Sequence, residues 1–329
     1  MRCLMPILLC LLLAAPVVQA QCAGQNILES LPPQALADLA AQSEARPYSK
    51  GNFWRATRRD QILILAGTYH LGDPRHDTTL ARLQPYLDTA TTLLVEAGPA
   101  EEAALRDRMA ADPGTMMGDA SGGLADQLGP DDWARLSSAL LQRGIPSSLS
   151  ARLRPWFVSM MLSIPPCALP LAAQNAGLDR RLIKQAQTRS IRITALEPYD
   201  TALNLFDGLT AEQQLTMIRT ALAVEDRAAD MLRTTSDAYF AGESRLIWDL
   251  NRLLTDQLPG ADPVRNAIEF AALEQTLITA RNQSWLPILE GAAENGPALA
   301  AFGALHLSGE NGVLALLDRA GFTLTPLPF

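Results

Sequence analysis

Short, uninterrupted apolar runs at residues 61–66, 91–95, 191–195 and 298–302 stand out in the hydrophobic pattern of the chain. Runs of this length, bounded by Gly, Pro or Asp, are typical of strands that are covered on both faces, as in a parallel sheet. A further run at residues 323–327 predicts a closing strand. Leu80, Leu83 and Leu87 recur at helical spacing between the first two runs, which predicts the crossover helix of a βαβ unit.

The segments at about residues 101–187 and 205–290 are rich in Ala, Leu, Gln, Glu and Arg and are predicted to be largely helical. We therefore expect an α/β fold with a mostly parallel central sheet and a large helical insertion. A last helix is predicted at residues 312–319, with Ser308 as its N-cap and Gly321 just beyond its end. The uncharged stretch at residues 155–173 predicts a buried helix rather than a membrane span, because Pro165 and Pro166 interrupt it.

The first 20 residues have the pattern of an export signal. Arg2 precedes an apolar run at residues 4–13, and Val18 and Ala20 form a small-x-small cleavage motif. The apolar run is shorter than a membrane span requires. Cleavage is therefore expected to leave a single domain at residues 21–329, periplasmic or secreted and without a stable membrane span.

Cleavage would leave Cys22 and Cys167 as the remaining cysteines. In an oxidising compartment we expect them to form a disulfide, and two unpaired thiols are the alternative. Neither lies in a CxxC pair, which excludes a thiolate zinc site. The formal charge is −8, and −9 after loss of Arg2, without a basic cluster. This acidic balance argues against nucleic acid and anionic membrane surfaces as partners.

Polar residues follow the four strand runs, at His70, Glu96, Glu197 and His306. Ligands of open α/β sheets bind beyond the carboxyl ends of the strands, so these side chains are expected to share one edge. The two histidines end matching Gly-x-x-His motifs. Imidazole and carboxylate groups together suit Mn, Fe, Co or Zn. The same set could instead work without a metal, with one histidine as base and a glutamate as its partner.

Six segments of the chain, in their order and spacing, resemble the TraB/GumN family. That family is related to the Tiki metalloproteases and, more distantly, to erythromycin esterase and ChaN-like proteins. The resemblance covers nearly the whole mature chain. Its segments are GTYHLGD at residues 67–73, LLVEAGP at 93–99, GLDRRLIKQA at 177–186, ITALEP at 193–198, ARNQSW at 280–285 and GALHLSGENGVLALLDRAGF at 303–322.

The resemblance implies that His70 and His306, introduced by Gly67 and Gly303, bind a divalent metal together with Glu96. The identity of the metal stays open. Glu96 is also a candidate catalytic residue.

Glu197 and Arg281 are further catalytic candidates implied by the resemblance, and Asn282 belongs to the same Arg-Asn match. The alternatives are that Glu197 fixes its loop or caps a helix, and that Arg281 pairs with a buried acid instead of holding a substrate carboxylate. Asp179 also matches and is expected to be structural, and His76 is expected to be a solvated loop histidine.

The function that this resemblance implies is that of a metal-dependent hydrolase, in the first place a peptidase, acting outside the cytoplasm on a peptide or another small substrate. One alternative is a non-catalytic ligand-binding or polysaccharide-related accessory protein. A second is a metal-independent, esterase-like hydrolase using His and Glu. The sequence leaves the substrate and the oligomeric state open.

Overall fold

The structure is a computed structural model that describes residues 22–118, 123–258 and 260–329. The predicted export signal lies outside the described residues. The described residues form one six-stranded sheet, in the order β4-β3-β5-β2-β1-β6. Its strands are β1 Phe53–Arg58, β2 Gln61–Thr68, β3 Thr92–Val95, β4 Arg192–Ala195, β5 Ala298–Gly303 and β6 Thr323–Pro326.

The four strands that the apolar runs predict are β2, β3, β4 and β5, and they are mutually parallel. The predicted α/β fold with a mostly parallel sheet and a helical insertion is confirmed. β1 was not predicted. It pairs antiparallel with β2 and with β6, so the sheet is mixed at this edge. The turn from β1 to β2 is tight, and Arg59 adopts a left-handed backbone conformation there, with φ 57°.

Helices surround the sheet and fill both segments that were predicted to be helical. The α-helices in the described ranges are α1 Ile27–Ser30, α2 Pro33–Glu44, α3 His76–Thr89, α4 Pro99–Ala111, α5 Leu124–Leu128, α6 Pro130–Gln142, α7 Ser147–Ser150, α8 Pro155–Leu162, α9 Leu169–Ala173, α10 Leu178–Thr188, α11 Thr201–Asp207, α12 Ala211–Ala223, α13 Ala228–Phe240, α14 Ser244–Asp256, α15 Pro263–Glu274, α16 Ala280–Glu294 and α17 Val313–Arg319. A π-helical turn, Gln275–Thr279, joins α15 to α16.

For α17, the sequence predicted the carboxyl end of the helix correctly and its N-cap incorrectly. Gly321 follows the helix with φ +87°, a conformation that glycine adopts without strain. The predicted N-cap is wrong, because Gly312 and not Ser308 occupies that position. Ser308 lies four residues earlier, in the loop that follows His306, and its side chain is buried.

Both faces of the sheet are covered, which explains why its central strands are continuously apolar. Along β2, Leu63 and Leu65 pack on one side with α16 and α17, whereas Ile64 and Ala66 pack on the other with α3 and α10. The helical insertion has a separate apolar core, which α5, α6, α8 and α12 share. The sheet therefore gives a rigid base to the loops at its carboxyl edge.

Cys22 and Cys167 form a disulfide, with their Cα atoms 5.3 Å apart across a sequence separation of 145 residues. The bond ties the first described residue to the short turn between α8 and α9. Of the described helices, none is by itself long and apolar enough to cross a membrane. One bent pair, Pro155–Leu162 with Pro166–Thr188 at 78°, passes that test by combined length and composition.

Candidate functional site

The carboxyl ends of β2, β3 and β5 bring three polar side chains together around Gly303. A Cβ atom added to Gly303 would lie 3.3 Å from Glu96 Oε1, 3.6 Å from His306 Cδ2 and 3.8 Å from His70 Nε2. Glycine thus leaves open the space that these three side chains face. We call this set of side chains, with Glu197 and Arg281, the strand-end site.

The two Gly-x-x-His motifs pack against each other. A Cβ atom on Gly67 would lie 2.8 Å from the Cα atom of Ala304, within the second motif, and 2.8 Å from Leu307 Cδ1. Because real Cβ atoms do not approach backbone so closely, the first glycine is needed for the motifs to meet.

His306 is buried, and its tautomer follows from its hydrogen bonds. Its Nδ1 lies 2.7 Å from Asn282 Oδ1. The amide nitrogen of Asn282 donates to the carbonyls of His306 and Asn311, so the Asn282 oxygen must be the acceptor and Nδ1 carries the proton. His306 Nε2 therefore has a free lone pair, which accepts from Arg281 Nη1 at 3.2 Å. Burial lowers the pKa of His306 to about 3, which keeps the ring neutral.

Glu96 has a specific donor on each carboxylate oxygen. Oε1 accepts from the backbone N–H of Gly303, and Oε2 accepts from Arg281 Nη2, both at 2.6 Å. Burial opposes ionisation, but the Arg281 guanidinium, the His70 ring and the Gly303 amide outweigh it. The pKa of Glu96 is consequently lowered to about 2.

Arg281, at the start of α16, also pairs with Glu197. Its Nε and Nη2 atoms donate to the two oxygens of Glu197, each at 2.8 Å, in a bidentate arrangement. Trp285 Nε1 donates to the same carboxylate at 3.2 Å, and burial raises the pKa of Glu197. Arg281 was considered either as a partner of a buried acid or as a group that holds a substrate carboxylate. In the structure it pairs with two acids, Glu96 and Glu197.

His70 is the most accessible member of the site, with 64% of its side chain exposed. Its Nδ1 lies 3.5 Å from Asp179 Oδ2, in the first turn of α10, and this contact raises the pKa of His70, an effect that water screens at an exposed ring. Gly177 permits the approach, because a Cβ there would lie 2.2 Å from the His70 carbonyl oxygen. Asp179 was expected to be structural. In the structure it contacts His70, a histidine of the site.

His76 is fully buried and the expectation that it would be solvated is wrong. Its Nε2 lies 3.0 Å from the carbonyl oxygen of Leu71, and its ring packs against Tyr239 and Phe240. The helical segment that covers it comes from far along the chain. His76 therefore supports the loop that carries His70.

A family model, described as the TraB/PrgY/gumN family, matches residues 52–326. This match includes every strand of the sheet and all residues of the strand-end site. The chain belongs to the TraB/PrgY/gumN family. No curated protein matches the chain. Family membership thus agrees with the resemblance carried by the paired Gly-x-x-His motifs, and it leaves the reaction and the substrate to be proposed.

The strand-end site contains two imidazoles and a carboxylate, side chains of the types that bind divalent metals in proteins. His70 and His306 each turn Nδ1 towards an oxygen acceptor, an arrangement that commonly orients metal-binding histidines so that Nε2 is the ligand atom. Glu96 adds a carboxylate, and Gly303 leaves space between the three. As the side chains stand, no group of three or more His, Cys, Asp or Glu within the described ranges is arranged to hold a metal. Arg281 lies against His306 Nε2 instead.

The lowered pKa of Glu96 predicts an acid-sensitive stability of the metal-free protein. A carboxylate whose pKa falls from 4.5 to about 2 on folding stabilises the fold fully above pH 4.5 and loses this contribution as pH falls through 2. The contribution is about 3 kcal/mol. Denaturant unfolding between about pH 6 and pH 2.5 should therefore show a smaller loss of stability in Glu96→Gln than in wild type. Glu212→Gln, which alters an exposed carboxylate on α12, should keep the wild-type slope.

Proposed function

We propose that this protein is a hydrolase of the TraB/PrgY/gumN family that holds a divalent metal through His70, Glu96 and His306. One observation carries the proposal. Both motif histidines have Nδ1 next to a fixed oxygen acceptor, Asp179 Oδ2 or Asn282 Oδ1, and they share the space around Gly303 with a carboxylate of lowered pKa. Two oriented imidazoles and an ionised carboxylate suit Mn, Fe, Co or Zn.

A divalent ion held there would polarise a substrate carbonyl and lower the pKa of bound water. The remaining chemistry belongs to the side chains around it. Glu96 is a poor proton acceptor at neutral pH because its pKa is lowered, whereas burial raises that of Glu197. Glu197 is therefore the carboxylate suited to take a proton from the attacking water. The Arg281 guanidinium would stabilise negative charge that develops on the substrate oxygen.

The substrate that we propose is a peptide, met outside the cytoplasm. A cavity of about 300 Å³ lies between α4, α8 and α11, and the strand-end side chains are not among the residues that line it. Its walls combine aromatic side chains with the ion pairs Arg108–Asp112 and Arg154–Asp207. Such a mixed lining suits a chain that carries both apolar and charged side chains. The disulfide, together with the export signal that the sequence predicts, supports an oxidising compartment.

The test combines metal analysis with hydrolysis. Purified protein is expected to contain metal and to cleave members of a peptide library, and a chelator should remove both properties. Glu212→Gln, far from the site, serves as the matched control and should behave as wild type. A wild-type protein that contains no metal, gains none on incubation with Zn²⁺, Mn²⁺ or Co²⁺, and cleaves no peptide would contradict the proposal.

A second candidate is a metal-free hydrolase, and one contact favours it. The contact between Asp179 and the exposed His70 ring is the acid–imidazole pair of a general base, and a substrate can reach this ring. In that case hydrolysis would persist after chelation and would be lost in His70→Ala. Chelator sensitivity therefore separates the two candidates.

A further inference from the structure

Arg281 and a metal ion would compete for the same lone pair. A neutral imidazole has one ring nitrogen that accepts, and in His306 the Asn282 amide fixes this nitrogen as Nε2. Arg281 Nη1 donates to that atom at 3.2 Å. His306 Nε2 can therefore face the guanidinium or a metal, but not both at once.

We propose that Arg281 is a built-in competitor of the metal, whose guanidinium closes the strand-end site when the metal is absent. This inference rests on the proposed function. The guanidinium contacts Glu96 at 2.6 Å as well as His306, so it engages two of the three groups that would hold the metal. It also provides the positive charge that these groups would otherwise take from the ion.

Glu197 binds the guanidinium independently of His306. It holds Nε and Nη2, and the Arg281 guanidinium carbon lies 5.0 Å from the centre of the Trp285 ring. Opening the site requires loss of the Nη1 contacts to His306 and to the Leu277 carbonyl, at 3.2 and 3.3 Å, and of the Nη2 contact to Glu96 at 2.6 Å. Glu197 can keep hold of Arg281 while His306 Nε2 and Glu96 are released. Metal affinity is set by how firmly Arg281 holds His306 and Glu96.

The experiment measures binding of Zn²⁺ and of Mn²⁺ to chelator-treated, dialysed protein by isothermal titration calorimetry. The decisive variant is the double substitution Arg281→Met with Glu197→Gln. It removes the guanidinium together with one carboxylate, so the net charge of the site stays that of wild type. Of the two carboxylates that lose Arg281, Glu96 stays charged and available to a metal, whereas position 197 is neutral. Glu197→Gln alone and His306→Ala are measured in parallel, and thermal unfolding checks that each variant folds.

The double variant is expected to bind the metal about tenfold more tightly than wild type, or better, because the hydrogen bonds from Arg281 to His306 and Glu96 no longer have to be broken. Glu197→Gln alone should show no such gain, since it keeps the guanidinium. Arg281→Lys gives a second test if the double variant fails to fold, because an ammonium without the forked donors should also bind metal more tightly than wild type.

Equal or weaker binding by the double variant, with binding by wild type that His306→Ala abolishes, would overturn the competition and leave the proposed function standing. Absence of binding in wild type and in every variant would instead show that the metal-dependent function is wrong, and the competition with it. The two failures are thus distinguishable.

Discussion

Substitution of His306 by alanine should remove the bound metal and, with it, hydrolysis, because two of the three proposed ligands cannot retain the ion. His306 is the most constrained member of the strand-end site, since Asn282 fixes its proton and Trp285 packs on its ring at 4.5 Å between centroids. No neighbouring imidazole can replace it, because His70 lies on the other motif and pairs with Asp179. The measurement is metal content and peptide hydrolysis of the purified variant beside wild type.

Two glutamate variants make this prediction sharper. Glu96→Gln should weaken metal retention, because Glu96 is the ionised carboxylate nearest to Gly303. Glu197→Gln should retain the metal and lose rate, because Glu197 is the group proposed to move the proton. The reverse result, with metal lost in Glu197→Gln and kept in Glu96→Gln, would exchange the two roles. A His306→Ala protein that keeps its metal and its rate would contradict the assignment of the site.

Most of the parallel part of the sheet could be predicted because β2, β3 and β5 are largely buried on both faces and are therefore mainly apolar. β1 could not be recognised in this way. Its run Phe53–Arg58 contains Arg55, which is exposed, and Arg58, whose side chain reaches Glu290 on α16 and the carbonyl of Ala320. Such a strand looks polar in the sequence, and its pairing with β6 depends on residues about 270 positions further along the chain.

The members of the strand-end site could be predicted, but their contacts could not. His70, Glu96 and His306 each follow an apolar run, so topology alone places them at one edge. The pairing of Arg281 with Glu96 joins residues 185 positions apart, and nothing in either local segment indicates it.

The contact of Asp179 with His70 and the burial of His76 could not be predicted for the same reason. Asp179 reaches His70 only because α10 begins beside the loop after β2, where Gly177 allows close contact. The burial of His76 depends on α13, which contributes Tyr239 and Phe240. These features arise from packing between distant segments, which a local pattern does not encode.

The buried ion network around Arg245 is expected to contribute strongly to stability. Arg245 on α14 is 3% exposed and contacts the two oxygens of Glu274 at 2.6 and 3.3 Å and Asp249 Oδ1 at 3.5 Å. Asp249 is 2% exposed. Glu274 is the last residue of α15, directly before the π-helical turn that leads to Arg281. The network therefore links the core of the helical part to the start of α16.

Arg245→Met should lower the free energy of unfolding by about 3–5 kcal/mol, because it leaves Asp249 charged, buried and without its cation. Arg265→Met on α15 is the matched control: Arg265 is 65% exposed, its contact with Glu269 is 3.8 Å, and its loss should change stability by less than about 0.5 kcal/mol. The double variant Arg245→Met with Asp249→Leu should regain much of the loss, since the fully buried carboxylate is gone and Glu274, which also loses Arg245, is 28% exposed to water. Denaturant unfolding of the four proteins decides the matter. If Arg245→Met lowers the free energy of unfolding no more than Arg265→Met does, then Asp249 is stabilised by other groups. In that case Arg245 does not stabilise the π-helical turn either.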